Sequence, residues 1–356
     1  MEIASNAIFV AVQVNQGQPS DWLLDTASAQ TVADQAVPAA ASQVASALSL
    51  PGLAILGLNP PAHSFESLGP WYGVRVNGVI GDDVLTQLVA ELDYSRRSIE
   101  LYDPRSYHVP PHLQKLEIRW EGGLPTVSAK LRLGGRTLDG EFVVNTAASG
   151  GILVTKEFLG SSRVASATSQ TVPGTVVGAG GERAVLLARA EWLDLGPVRI
   201  LEPVVAIDSS QPGRETNEGG ERTGGEKAGR VIAGWIGGEI LRKFRVVLDF
   251  PADRLLFAPN RDFVFPIKAD ASGATIRATG TSLGGFEVAG VSSGSPAAEA
   301  GLLPGDRIAV IDSEPASDFT LDQLREFLSK PGDSVVLSVL RSGHRVRIDL
   351  HLKRLL

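Results

Sequence analysis

Two short polar segments follow hydrophobic runs and carry side chains that could do acid–base chemistry. Trp22-Leu23-Leu24 leads into Asp25-Thr26-Ala27-Ser28, and Phe142-Val143-Val144 leads into Asn145-Thr146-Ala147-Ala148-Ser149. A carboxylate can take a proton from water, but acid–base catalysis of a hydrolysis also needs a group that donates a proton. Two carboxyl groups in contact do both, because they share one proton. Asn145 has no proton to transfer near neutral pH, so we expect hydrolysis to be weakened or lost.

The elements around these two segments also recur along the chain. A β-patterned run from Ile8 to Val14 precedes the first segment, and Thr126 to Leu133 precedes the second. Each half ends in two apolar residues and a glycine, which are Val79-Ile80-Gly81 and Trp235-Ile236-Gly237. Such self-similarity is typical of a duplicated unit. The sequence therefore predicts two diverged copies of one β-rich half.

The second copy is longer, and its additional residues fall in two places. Val172 to Val185 has a glycine-rich centre and predicts a hairpin with a flexible tip. Ser209 to Gly229 is rich in Gly, Glu, Arg and Thr, and predicts a disordered surface loop. Prolines in the connector from Pro104 to Leu113 forbid continuous regular structure there. We expect domains at residues 1–109, 110–262 and 273–356.

The third unit begins near Gly273, where the pattern changes. A short helix is expected after Ser295, with Pro296 in its first turn and Gly301 just past its end. Thr320 and Gln323 form a capping box for a second helix, whose apolar residues fall on one face. Strands are predicted at Phe286 to Val291, Arg307 to Ile311, Ser334 to Arg341 and Arg345 to Leu350.

Composition excludes several other classes of protein. The net charge of -7 gives no basic surface for nucleic acid, and no run of about 18 apolar residues exists to span a membrane. The absence of cysteine removes disulfides, thiolate zinc sites and cysteine nucleophiles. His108 and His112 are separated by Pro110 and Pro111, which break any helix that would face them together, so we predict no metal site there.

The duplicated layout resembles the aspartic protease family over roughly residues 8 to 260, and is closest to its bacterial two-lobed, retropepsin-like branch. The resemblance implies a mainly β, bilobal retropepsin/pepsin-like acid protease fold with no cofactor. It places Asp25 and Asn145 at the two central catalytic positions, where the family has two aspartates. The remaining implied site residues are the cross-bonding Thr26 and Thr146, the supporting Ala27, Ala147, Gly81 and Gly237, and the flap residues Val176, Val177, Gly178 and Gly180.

The third unit is similar to a bacterial-type PDZ domain, an α+β module that binds peptides. The similarity is carried by Leu283-Gly284-Gly285-Phe286, Ser295-Pro296-Ala297, Ala300-Gly301-Leu302 and Gly305-Asp306, in that order. In this family a glycine-rich loop binds a terminal carboxylate, and the peptide adds as a strand. The resemblance implies that Leu283, Gly284, Gly285 and Phe286 hold a peptide C-terminus, and that Val288, Leu321 and Leu324 contact its side chains.

These observations give three hypotheses about function. The first is a peptidase of reduced efficiency, in which Asp25 assists water attack, Asn145 polarises the peptide carbonyl and the PDZ domain recruits polypeptide. The second is a catalytically silent protease fold that binds peptide without cutting it. The third is a homodimer in which two copies of Asp25 face each other. The family resemblance suggests a cell-envelope, periplasmic or secreted protein if an export signal has been removed.

Overall fold

The computed structural model describes residues 1–15, 17–37, 46–160, 170–208 and 232–356. It is mainly β, with two β-rich lobes followed by a smaller α+β unit, as the sequence predicts. The loop expected at 209–229 lies outside the described residues.

The first lobe is built on a sheet with the strand order β6-β5-β2-β3-β8-β4-β7, and β1 pairs with β2. Strand β3 ends at Leu24, directly before Asp25. Strand β8 pairs parallel to β3, with Val79 opposite Leu23. The elements are β1 (Glu2–Ala4), β2 (Ala7–Val14), β3 (Ser20–Leu24), β4 (Val32–Asp34), β5 (Ser46–Leu50), β6 (Leu53–Leu58), β7 (Ala62–His63), α1 (Gly69–Tyr72), β8 (Gly78–Ile80), α2 (Asp82–Leu85), β9 (Val89–Asp93) and β10 (Ser98–Tyr102).

The second lobe repeats this arrangement in a larger sheet, with the order β16-β17-β20-β15-β21-β14-β13-β18-β19 and β12 on β13. Strand β21 pairs parallel to β14, as β8 does to β3. The expected hairpin is confirmed as β16 and β17. The elements are β11 (Gln114–Glu117), β12 (Arg119–Glu121), β13 (Leu124–Leu133), β14 (Arg136–Val144), β15 (Ile152–Val154), α3 (Lys156–Leu159), β16 (Val172–Gly178), β17 (Gly181–Arg189), β18 (Trp192–Leu195), β19 (Val198–Leu201), β20 (Val204–Asp208), β21 (Ile232–Ile236), α4 (Gly238–Leu241), β22 (Phe244–Asp249), a 3-10 turn (Phe250–Ala252) and β23 (Arg254–Pro259).

A third sheet joins the lobes. Its order is β10-β9-β22-β23-β11, so strands that end the first lobe pair directly with strands that end the second. One hydrophobic core runs through both lobes and includes the fully buried Trp22, Phe142 and Phe244. Because the core is continuous, the two lobes hold each other in one relative position.

The C-terminal unit is a sheet with the order β24-β25-β26-β28-β29, with β27 on β26 and a core of its own. The predicted strands, both helices and the Thr320–Gln323 capping box are confirmed. Strand β24 was not predicted, because only its Ile276 and Ala278 are fully buried in the core and its other residues are small or polar. The elements are β24 (Ala274–Thr279), β25 (Gly285–Val291), α5 (Pro296–Glu299), β26 (Arg307–Ile311), β27 (Glu314–Pro315), a 3-10 turn (Ala316–Asp318), α6 (Leu321–Phe327), β28 (Ser334–Arg341) and β29 (His344–His351).

Among the residues that the structure describes, no helix has the length and apolar character needed to cross a membrane.

Candidate active site

The loops that carry residues 25 and 145 meet at the junction of the two lobes. Each buried threonine donates its backbone N–H to the hydroxyl of the other, from Thr26 to Thr146 at 3.3 Å and from Thr146 to Thr26 at 3.2 Å. The Thr26 hydroxyl donates to the Val144 carbonyl at 2.5 Å, and the Thr146 hydroxyl donates to the Leu24 carbonyl at 2.6 Å. Every hydrogen bond in this set has a counterpart from the other lobe, so a local twofold axis passes between these loops.

The backbone around the two central residues obeys the same symmetry. The Asp25 N–H donates to the Ile80 carbonyl at 3.0 Å, and the Asn145 N–H donates to the Ile236 carbonyl at 3.0 Å. The next pair of contacts is also matched, because Asp82 N–H donates to Ser28 and Gly238 N–H donates to Ala148, both at 2.8 Å. Asn145 is therefore the positional equivalent of Asp25.

Gly81 and Gly237 lie where the chain passes directly beneath each loop. A Cβ atom on Gly81 would lie 2.5 Å from the carbonyl of Gln30, and one on Gly237 would lie 2.4 Å from the carbonyl oxygen of Gly150. Their φ values of −106° and −103° are accessible to any residue. Glycine is needed here for space and not for backbone conformation.

Asp25 and Asn145 sit in matched loops but have different chemistry. One Asp25 carboxylate oxygen accepts the Ala27 N–H at 2.8 Å, and burial raises the pKa of this carboxyl to about 6, an effect that the hydrogen bond partly offsets. The Asn145 amide oxygen accepts N–H groups from Ala147 at 2.9 Å and Ala148 at 2.8 Å. Because its oxygen is occupied, the Asn145 side chain can offer only its NH₂ group as a hydrogen-bond donor.

The raised pKa of Asp25 has a consequence for stability. The carboxyl has a reference pKa of 3.8 when unfolded and one of about 6 when folded, so the folded state keeps the proton over a pH range in which the unfolded state has lost it. Stability therefore falls as pH rises from about 4 to about 6.

We expect Asp25→Asn to remove this loss. The variant should match the wild type near pH 4 and exceed it above pH 6 by about 2–3 kcal/mol, since each pKa unit corresponds to about 1.4 kcal/mol. Urea unfolding at several pH values measures the difference. Asp333→Asn, which changes an exposed carboxylate, is the control for the loss of one negative charge. A pH-independent effect of Asp25→Asn would contradict the prediction.

The hairpin of β16 and β17 lies against the loop of Asn145. Ser149 N–H donates to the Val177 carbonyl at 3.0 Å, and Val177 N–H donates to the Ser149 hydroxyl at 3.3 Å. Val177 is buried in one cluster with Ala147, while Val176 lies beside Gly150. Gly178 and Gly180, at the tip, have open space around their Cα atoms. This placement next to residue 145 is compatible with the flap role that the resemblance implies.

Tyr72, whose position no sequence motif predicts, also reaches the site. Its hydroxyl donates to the Ala147 carbonyl at 2.8 Å, and its ring packs edge-on against Phe9. Tyr72 is only 1% exposed, and burial together with the negative charge of Asp25 raises the pKa of its hydroxyl. The only sequence signal was an aromatic pair, Trp71-Tyr72, in a turn bounded by Gly69-Pro70 and Gly73.

Of the residues expected to bind peptide in the C-terminal unit, some are buried in its core and others lie in a turn. Phe286, Val288, Leu321 and Leu324 belong to its buried core, while Leu283, Gly284 and Gly285 form the turn between β24 and β25 and the start of β25. β25 pairs with β24 along its whole length, whereas β24 ends the sheet. Strand addition needs an unpaired edge. The pairing therefore favours β24 over β25 as the strand to which a peptide could add.

The described residues also form a large cavity that does not include the loops of Asp25 and Asn145. It has a volume of about 810 Å³ and is lined by residues of the first lobe that include Leu53, Leu101 and Arg105, but neither Asp25 nor Asn145. Size alone therefore does not mark the site where the paired loops meet.

Comparison with known proteins identifies the C-terminal unit directly. A family model described as a PDZ domain matches residues 287–341. The crystal structure of an aspartic proteinase from Irpex lacteus aligns with 74% of this chain and 97% of its own, at 14% sequence identity and a TM-score of 0.43. No curated protein matches the chain. The chain thus combines two β-rich lobes of repeated topology, joined by paired threonine contacts, with a C-terminal unit that matches a PDZ domain.

Proposed function

We propose that this protein binds polypeptide in a cleft of aspartic-proteinase type without hydrolysing it appreciably. The observation that carries the proposal is the position of Asn145, which is related to Asp25 by the local twofold axis. Matched threonine contacts surround this pair on both sides, while only one of the two positions carries a carboxyl group.

The missing group is the proton donor. Near neutral pH, Asp25 with a pKa of about 6 is largely ionised and can orient or deprotonate a water molecule. The amide of Asn145 can hydrogen-bond to a peptide carbonyl but cannot protonate its oxygen or the leaving nitrogen. Loss of positioned acid–base catalysis lowers a rate by roughly 10²–10⁴-fold.

A slow, Asp25-dependent peptidase is the second candidate, and it is favoured by the raised pKa of Asp25 and by the intact threonine pairs. The arrangement gives less support to a site made of two copies of Asp25. Thr26 already has its partner within the same chain, so a second chain is not needed to complete the loops.

The PDZ domain supports a polypeptide ligand, because domains of this family bind peptides. In our proposal it takes part in delivering polypeptide to the cleft. The duplicated layout with a hairpin beside the second loop supports placing the lobes in the two-lobed, retropepsin-like branch known from bacteria.

Fluorescein-labelled casein, an unfolded polypeptide, tests the proposal. We expect the wild type and Asp25→Ala to bind it with similar affinity in fluorescence anisotropy, and neither to cut it appreciably. Efficient cleavage by the wild type that is lost in Asp25→Ala would replace the proposal by the peptidase hypothesis. Absence of binding would overturn it, and sedimentation of the intact chain would detect a dimer.

A further inference from the structure

A single loop of the first lobe, residues 65–76, lies between the PDZ domain and the two loops that carry residues 25 and 145. It contains α1, which ends at Gly73 in a left-handed conformation with φ 78°. On one side, Trp71 and Tyr72 join Ala147 and Val177 in a buried apolar cluster next to the residue 145 loop. The phenol of Tyr72 therefore lies between the two loops, where it donates to the Ala147 carbonyl at 2.8 Å and is close enough to Asp25 for that negative charge to raise its pKa.

The other side of the same loop lies on the PDZ domain, between β24 and α6. Arg325, on α6, donates through Nη2 to the Trp71 carbonyl at 3.2 Å and to the Ile276 carbonyl of β24 at 3.2 Å. Gly73 packs on the first residue of α6, because a Cβ on Gly73 would lie 2.9 Å from the Cβ of Leu321. One guanidinium thus ties the loop to both walls of the groove.

The turn between β1 and β2 reinforces this contact. Ser5 N–H donates to both carboxylate oxygens of Asp322, at 3.1 and 2.9 Å, and its hydroxyl accepts from Arg325 Nη1 at 2.5 Å. The side-chain amide of the neighbouring Asn6 donates to the Ser149 carbonyl at 2.8 Å. Ser149 belongs to the loop that carries Asn145. This turn therefore also contacts the PDZ domain on one side and the site on the other.

The groove between β24 and α6 is where a strand could add, since β24 ends the sheet and its Ile276 carbonyl points out of it. An added strand would need that carbonyl and the space now filled by Gly73 and the Trp71 backbone. The 65–76 loop and an external peptide therefore compete for the same groups.

The loop that precedes β24 indicates what kind of peptide fits. The Asp270 carboxylate accepts N–H groups from Ser272 at 3.2 Å and Gly273 at 2.5 Å, together with the Ser272 hydroxyl at 2.7 Å. These donors would otherwise be available to a terminal carboxylate. The groove is thus suited to an internal, extended segment of polypeptide and not to a free C-terminus.

We propose that the 65–76 loop is a latch that closes the cleft while it occupies the PDZ groove. An extended polypeptide segment that pairs with β24 displaces the loop from Arg325, and the displaced loop withdraws Tyr72 from beside Asp25. Binding at the groove and access to the cleft are then coupled, and the coupling must act in both directions. The identity of the cleft ligand rests on the function proposed above, but the coupling itself does not.

Hydrogen exchange in the full-length chain tests the coupling without any ligand. Arg325→Ala, changed on the PDZ side, should raise exchange at least ten-fold at residues 65–76 and also at 145–149. Tyr72→Phe, changed on the cleft side, should raise exchange at 65–76 and also in β24. Arg347→Ala and Tyr102→Phe are matched controls that remove an exposed ion pair with Asp349 and an exposed hydrogen bond to Glu100. They should leave these segments unchanged.

Increased exchange confined to the mutated side would overturn the latch. If Arg325→Ala does not fold, Arg325→Lys, which keeps the charge but loses the planar fork, should show a smaller effect of the same pattern. Casein binding gives a second readout, because a largely closed state weakens apparent affinity by the fraction that is open. We expect at least ten-fold tighter binding by Arg325→Ala.

The two proposals fail in different ways. Equal casein affinity in wild type and Arg325→Ala, with uncoupled exchange, would remove the latch and leave the polypeptide-binding function standing. Coupled exchange without casein binding in either protein would leave the latch and remove the proposed function.

Discussion

Replacing Asn145 by aspartate should raise cleavage of labelled casein by roughly 10²–10⁴-fold, the range that positioned acid–base catalysis contributes. The two loops already match each other, since both threonine pairs and both sets of backbone contacts are in place. The new carboxyl at position 145 would share a proton with Asp25, so that one carboxyl serves as base and the other as acid. Such a pair titrates in two macroscopic steps, and we expect a bell-shaped pH profile with an acidic optimum.

The control is the double variant Asp25→Ala/Asn145→Asp, which should be inactive and excludes a contaminating protease. Because the proposed latch holds Tyr72 beside Asp25, the same substitution is also made in the Arg325→Ala background, where we expect a further increase. If Asn145→Asp is inactive in both backgrounds, the absent carboxyl at position 145 is not the sole defect of the site. Equal activity of wild type and Asn145→Asp would show that residue 145 does not limit the reaction.

Gly237→Ala should destabilise the chain by about 3 kcal/mol, at the upper end of the usual cost of overpacking. The added methyl would lie 2.4 Å from the Gly150 carbonyl oxygen and 2.9 Å from that of Ala148, and backbone atoms cannot turn aside as a flexible side chain can. Relief requires the Asn145 loop to move, and that loop also holds one half of the threonine pairs. We therefore expect casein binding to weaken along with stability.

Gly178→Ala is the matched control, because no atom lies within 4 Å of the position of its new Cβ. It should change the free energy of unfolding by less than about 0.5 kcal/mol, as is usual at open surface positions. Urea denaturation of both variants and the wild type gives the comparison. Similar stability of Gly237→Ala and Gly178→Ala would contradict the close packing beneath the loop.

The duplicated frame and most of the elements that carry it could be predicted from the sequence. Hydrophobic runs ending in Asp25 and Asn145, each answered by a glycine downstream, predicted two equivalent loops, and the paired threonines confirm that these loops meet. Turn residues and alternating apolar residues predicted the β16–β17 hairpin and most of the PDZ strands. These features could be predicted because they depend on local patterns that recur within the chain.

The position of Tyr72 beside Asp25 and the location of the PDZ groove depend on contacts between residues far apart in the chain. The Tyr72 hydroxyl and its acceptor on Ala147 are 75 residues apart, and Arg325 and Ser5 are 320 residues apart. No local pattern encodes such pairs, and β24 shows too few apolar residues to be recognised before its partners are known. β24 can be recognised as the edge strand once the sheet order is known, because an unpaired strand edge is a property of the assembled sheet.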